Sequence, residues 1–108
     1  MVKVDIYRNG QGKITGYKVS GHAGYAEEGQ DIICSAISSV TQAPILGLER
    51  HLQLKPSCKV DLEDGILEVA LNSAPDDLTE AILETMYYGV QSISGQCPKY
   101  VHIVEHRR

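Results

Sequence analysis

Two residue types that do chemistry together lie close in this chain. They are a histidine framed by glycines, Gly21-His22-Ala23-Gly24, and, twelve residues on, a cysteine, Cys34. A thiolate is a strong nucleophile and an imidazole can take or deliver its proton, so a Cys and a His within reach of each other are the minimum for nucleophilic acyl transfer. Asp31 precedes the apolar-periodic run that begins at Ile32-Ile33 and reads as an N-cap, its carboxylate accepting backbone N–H groups two or three residues on. Cys34 then falls in the first helical turn, where free N–H groups and the helix dipole favour a thiolate. The Asp31 charge opposes that effect unless it is spent on capping. It also has a second reading, as the group that orients His22. Ser38, one turn past Cys34 on the same helix face, either helps bind a substrate or intermediate or bonds back to a helix carbonyl. Residues 21–30, with Gly21, Gly24 and Gly29 and the pair Glu27-Glu28, read as a mobile acidic loop. A core cysteine and a surface histidine are the structural alternative, and on these residues alone the two readings stand even.

The surrounding elements must hold this pair. Residues 2–8 alternate as a half-buried strand, Asn9-Gly10-Gln11-Gly12 turns the chain, and residues 13–20 return, with a bulge expected near Gly16. Ile33, Ile37, Val40, Pro44 and Leu48 share one face of a helix that Pro44 should kink or split, ending near 52–55. Residues 58–63 place Cys58, Val60 and Leu62 on an apolar side, Asp64-Gly65 turns, and 66–71 pair back. Ala74-Pro75-Asp76-Asp77 opens a second helix with an apolar stripe of Leu78, Ile82, Met86, Val90 and Ile93, and a strand near 99–105 closes the chain. The order is ββαββαβ: an α+β single domain over 1–108, a mostly antiparallel sheet packed by two main helices.

At 108 residues the chain has room for one core. It has no Trp and no Phe, so Ile, Leu, Val and Tyr must build that core. A net charge of −4 argues against a nucleic-acid partner, which needs a basic face, and suits a basic peptide. The expectations are no membrane-length apolar run, no leader segment and a cytoplasmic setting. Three cysteines without C-x-x-C spacing give neither a disulfide framework nor a metal site, and no cofactor is expected. Cys58 and Cys97 read as structural residues.

The pattern Gly21-His22-Ala23, then Gly29-x-Asp31-Ile32-Ile33-Cys34-Ser35-Ala36-x-Ser38, resembles that of the bacterial ribosomal-processing cysteine protease family, and the length and element order fit as well. The resemblance implies a cytoplasmic cysteine endopeptidase, usually a homodimer, with His22 and Cys34 as the catalytic pair. Gly21, Gly29, Asp31 and Ser38 would support it, and the loop between would rearrange around substrate. It further implies a basic substrate: large-subunit ribosomal protein number twenty-seven, relieved of a short N-terminal extension after paired aromatic residues. The rival readings are a non-catalytic ribosome-assembly or peptide-binding module and, disfavoured by the acidity, an RNA-binding partner of the ribosome.

Overall fold

Alternation and turn chemistry place the strands nearly where the sequence puts them. In the computed structural model, which describes residues 1–21 and 32–108 and the backbone of Gln30 and Asp31, β1 (Val2–Arg8) and β2 (Ile14–Ser20) form the first hairpin. Asn9 builds its turn: Oδ1 accepts from the backbone N–H of Gln11 and of Lys13 at 2.9 and 3.0 Å, and Gly12 takes φ +82°. The expected bulge is present. Tyr7 pairs with Gly16 and Arg8 with Ile14, leaving Thr15 as the extra residue. Gly16 is required there, because a Cβ would stand 2.7 Å from the Val69 carbonyl oxygen on the next strand.

The helical region follows as α1 (Gln30–Leu46), which passes directly into a single π-helical turn over Gly47–His51. Pro44 lies inside α1, and the regular helix gives way three residues beyond it. α1 begins one residue earlier than Asp31. Asp31 therefore stands within the first turn and not ahead of it as a cap. Glutamine is a good helix former, and an acidic residue is favoured in the first turn as well as at the cap, so sequence alone does not separate the two positions.

The second hairpin is β3 (Ser57–Asp61) and β4 (Ile66–Ala70), with Gly65 at φ +64° in its turn. The second long helix, α2 (Asp77–Gln96), has a capping box at Asp76: its side chain accepts from Thr79 N at 2.9 Å, and the Thr79 hydroxyl accepts from Asp76 N at 3.0 Å. β5 (Val101–Arg107) ends the fold.

The sheet order is β3-β4-β2-β1-β5, antiparallel throughout except for the β1–β5 pair. One face is apolar: Val2, Val4, Ile6, Ile14, Tyr17, Val19, Leu67, Val69 and Val101 form a single core with Ile37, Leu48, Leu83, Met86 and Val90 of the helical segments. The other face carries Lys3, Asp5, Lys18 and Glu68 in register and meets water, the usual division in an antiparallel sheet. Asp5, although buried, accepts from or pairs with His106 Nε2 at 2.7 Å. Arg8 ties three elements, reaching Glu84 on α2 at 2.6 Å and Glu105 on β5 at 2.8 Å from β1.

Two expected faces are corrected. Val60 and Leu62 are 60 and 87% exposed, and Cys58 is exposed too. β3 is the sheet edge, and the helices do not extend over its apolar side. Leu78 is 60% exposed, because Thr79 and Leu83 take the inward positions in the first turns of α2. The expectation of no membrane-length segment also meets an exception. The continuous stretch Ile32–His51 is long and apolar enough by length and composition, at mean hydropathy 1.3. Its charged residues, Glu49, Arg50 and His51, are confined to the C-terminal end, and the inward positions Ile37 and Leu48 pack into the core.

Tyr17 fixes α1 to that sheet. Its ring is fully buried and its hydroxyl donates to the Thr41 carbonyl at 2.6 Å. Burial, and to a lesser degree Cys58, holds the phenol protonated well above its ordinary range. Tyr17→Phe is expected to cost about 1 kcal/mol, the worth of one buried hydrogen bond. Thermal unfolding would report it as a drop of roughly 5 °C.

Candidate active site

The elements converge at one end of the sheet. β2 ends at Ser20, opposite Lys3, and Gly21 follows at φ +85° with its α-carbon facing the Met1 carbonyl, where no Cβ fits. The β3–β4 turn lies at the same end, since Asp61 pairs with Ile66 and Leu67 with Val19. α1 packs beside this hairpin, its residues Ser38 to Leu46 facing residues 58–67 across a groove.

Cys34 is the fifth residue of α1, partly buried and packed against the core cluster. At that depth its N–H is spaced to meet the Gln30 carbonyl in the helix, so it is not one of the free donors of the helix start. Ser38 comes one turn later and is also partly buried. It does not bond back to a carbonyl, the habit shown by Thr41, whose hydroxyl donates to the Ile37 carbonyl at 2.7 Å, and by Thr85 to Ala81. Instead Ser38 Oγ accepts from Gln42 Nε2 at 2.6 Å.

Ser38 and Gln42 open onto a groove of about 500 Å³ between α1 and the β3–β4 hairpin. Its walls are apolar: Ile45 and Leu46 from α1, Val60 and Leu62 from the edge strand and its turn, Ile66 and Leu67 from β4. The exposure of Val60 and Leu62 is thus the lip of a concave surface. Cys58 lines the same groove, and burial, followed by the Glu49 charge, pushes its thiol up from its ordinary value. Cys97 is partly buried just past α2. Among the described residues no group of three or more His, Cys, Asp or Glu is placed to hold a metal ion.

The structure thus places Gly21, Cys34 and Ser38, with Cys34 and Ser38 on one face of α1. His22, Gly29 and the two loop glutamates lie outside the described residues, as does the Asp31 side chain. The sequence reading does not single out Gln42. Its signal is modest: a polar side chain four residues past Ser38 on an otherwise apolar helix.

The architecture is a five-stranded sheet with two long helices, a cysteine on the first turns of α1 and, one turn further along that helix, an apolar groove. Comparison with known proteins makes this specific. The family model described as cysteine protease Prp matches residues 1–102. The ribosomal processing cysteine protease Prp of Staphylococcus aureus strain Mu50 is 30% identical over 96 residues, covering 89% of this chain and 91% of the relative. The crystal structure of the S. aureus essential ribosomal processing protease Prp with a substrate peptide superposes with a TM-score of 0.93 at 25% identity, over 98% of this chain and 100% of that one. A structure of the same protease with a covalently linked product peptide gives a TM-score of 0.87 at 26% identity, with the same coverage. SMU.848 of Streptococcus mutans, at 22% identity and a TM-score of 0.90 over 100% of this chain and 96% of that one, shares the fold. The chain belongs to the Prp family of ribosomal processing cysteine proteases. It is a cysteine-type peptidase, as the sequence reading expects.

Proposed function

We propose that this chain is a single-domain cytoplasmic endopeptidase that removes the N-terminal extension of large-subunit ribosomal protein number twenty-seven, with Cys34 as nucleophile and His22 as its base. The observation that carries the reading is that Ser38, one helical turn past Cys34 on α1, lines the apolar α1–hairpin groove. An extended peptide lying there presents its carbonyl to Cys34 and its apolar side chains to Val60, Leu62, Ile66 and Leu67. Paired aromatic side chains ahead of the scissile bond suit such walls, and the net charge of −4 suits a basic ribosomal protein. Basic substrate, apolar groove and acidic chain also disfavour a nucleic-acid partner.

The reaction runs in two halves. Cys34 Sγ, its proton passed to His22, forms a bond to the scissile carbonyl carbon, and the carbonyl π electrons move to oxygen. The Ser38 hydroxyl, one turn past Cys34 on the same helix face, donates to the oxyanion. Collapse breaks the C–N bond while His22 protonates the leaving amine. Water, deprotonated by His22, then adds to the thioester, and cleavage of the C–S bond frees the acid and returns the proton to sulfur. No metal or cofactor takes part in this scheme.

A homodimer belongs to the same reading. The groove between α1 and α2, with Val40, Ala43, Ala81 and Ile82 on its walls, offers an apolar surface to a second copy.

The test is direct cleavage. A peptide with two adjacent phenylalanines ahead of a basic segment, incubated with reduced protein, is expected to be cut once, after the pair. A peptide with both aromatics replaced by alanine should be cut at least about tenfold more slowly, given the worth of burying an aromatic side chain. Binding of the peptide without any cut would instead identify a peptide-binding module.

A further inference from the structure

We infer that Gln42 is a positioning residue for the reaction, acting through Ser38 by fixing its hydroxyl as a hydrogen-bond donor. The inference rests on the reading above, in which Cys34 attacks a peptide held in the α1–hairpin groove. A helical serine has two local choices for its hydroxyl. It can donate to a carbonyl three or four residues back, or it can be held some other way. In this chain Thr41 and Thr85 take the first course, each donating to the carbonyl four residues earlier at 2.7 and 2.6 Å. Ser38 takes the second: the carboxamide of Gln42, one turn further along, donates to its oxygen at 2.6 Å. This is the side-chain hydrogen bond that Ser38 makes among the described residues, and in it the serine is the acceptor. An amide N–H on the oxygen leaves the hydroxyl proton to point away from Gln42. Along the helix, away from Gln42 means toward the turn that carries Cys34. A hydroxyl held in this way is set to give its proton's hydrogen bond to an oxygen bound beside Cys34, with no reorientation needed when charge develops there.

Among the described residues the groove leaves the task to this pair. Of the other polar side chains on the groove, the Thr41 hydroxyl is spent on the Ile37 carbonyl, and the Asp61 carboxylate accepts from Asp64 N at 3.0 Å. The remaining walls are aliphatic or sulfur. Ser38 and Gln42 are consecutive polar rungs on one helix face in an apolar channel.

Four proteins test the inference: parent, Gln42→Leu, Ser38→Ala and the double variant, with kcat and KM measured on the same peptide. Gln42→Leu is expected to lower kcat about five- to tenfold, with KM changed less than twofold, since what is lost is the orientation of one hydrogen bond. With Ser38→Ala already in place, adding Gln42→Leu should change kcat less than twofold. Gln42→Glu supplies a second readout. Its carboxylate accepts from the Ser38 hydroxyl and turns the proton away from Cys34, so it should be slower than Gln42→Leu at pH 7.5. When protonated it can donate again, so the ratio of Gln42→Glu to parent kcat should climb as pH falls toward 5. Equal effects of Gln42→Leu with and without Ser38, or a pH-independent ratio, would overturn the inference while leaving the peptidase reading in place. A parent protein that does not cut the peptide would defeat the peptidase reading itself.

Discussion

Cys34→Ala is expected to cleave the substrate peptide at least about 10⁴-fold more slowly than the parent, with the folded structure retained. The groove, Ser38 and the helix can still bind and polarise the peptide, but the Ser38 hydroxyl is a far weaker nucleophile than a thiolate and is already used as a hydrogen-bond donor. His22→Ala should fall to a similar level, and the double variant should be little worse than either single one, because the two residues work on one proton and one bond. Cys34→Ser separates nucleophile from packing. It preserves volume but replaces a thiol by a far weaker acid, so activity should remain near that of Cys34→Ala. Cys34 is partly buried against the core, so each substitution should cost stability only about 1 kcal/mol, visible as a small shift in Tm. Alkylation adds an independent measure. If His22 activates the thiol, the pH profile of iodoacetamide modification at Cys34 should move to higher pH in His22→Ala. A Cys34→Ala protein that still cuts the peptide within tenfold of the parent would remove Cys34 from the mechanism.

How far the sequence discloses this arrangement differs by element. The strands, the Asn9–Gly12 and Asp64-Gly65 turns, the helix start at 74–77 and the Ile37–Leu48 stripe are all legible, because each rests on local chemistry: alternation, left-handed turn residues, a proline and acidic residues at a helix start. Cys34 and Ser38 on one face are legible for the same reason, and the motif around them points to the family. What stays hidden depends on which surfaces meet. Val60 and Leu62 alternate like core residues, yet β3 lies at the sheet edge beyond the helices, so the same alternation makes the lip of a groove. Cys58 follows them outward. The Tyr17 hydroxyl reaches a helix carbonyl 24 residues away, a distance no local pattern encodes. Gln42 is hidden differently. Its spacing from Ser38 is visible, but that it donates to the serine, and that the serine does not bond back as Thr41 does, are facts of side-chain geometry. Asp31 illustrates the limit of capping rules. A carboxylate serves a helix in the first turn or just before it, and the sequence supports either.

Gly21→Ala is expected to damage stability and catalysis together, and more than a methyl added at any other described glycine. Two independent costs meet at this residue. Its φ of +85° lies in the left-handed region, where a Cβ costs about 1–2 kcal/mol. That Cβ would also stand against the Met1 carbonyl, so the start of β1 must give way. Together they should lower stability by about 2–3 kcal/mol and Tm by on the order of 10 °C. The catalytic loss follows from position. Gly21 joins the end of β2 to His22, so any shift that relieves the clash moves the histidine's attachment to the sheet. A displacement of about 1 Å at a catalytic group is enough for a 10²-fold loss. The drop should therefore appear mainly in kcat, measured well below the lowered Tm. Two further variants divide the causes. Gly21→Asn accepts the left-handed backbone more readily but keeps the Cβ clash, so it should recover part of the stability and little of the activity. Gly10→Ala, in the β1–β2 turn at the opposite end of the sheet, adds its methyl where nothing lies within 4 Å, and should leave both properties near the parent's. A Gly21→Ala protein with parental kcat and Tm would show that the backbone joining β2 to His22 is not held as the φ and the Met1 contact require.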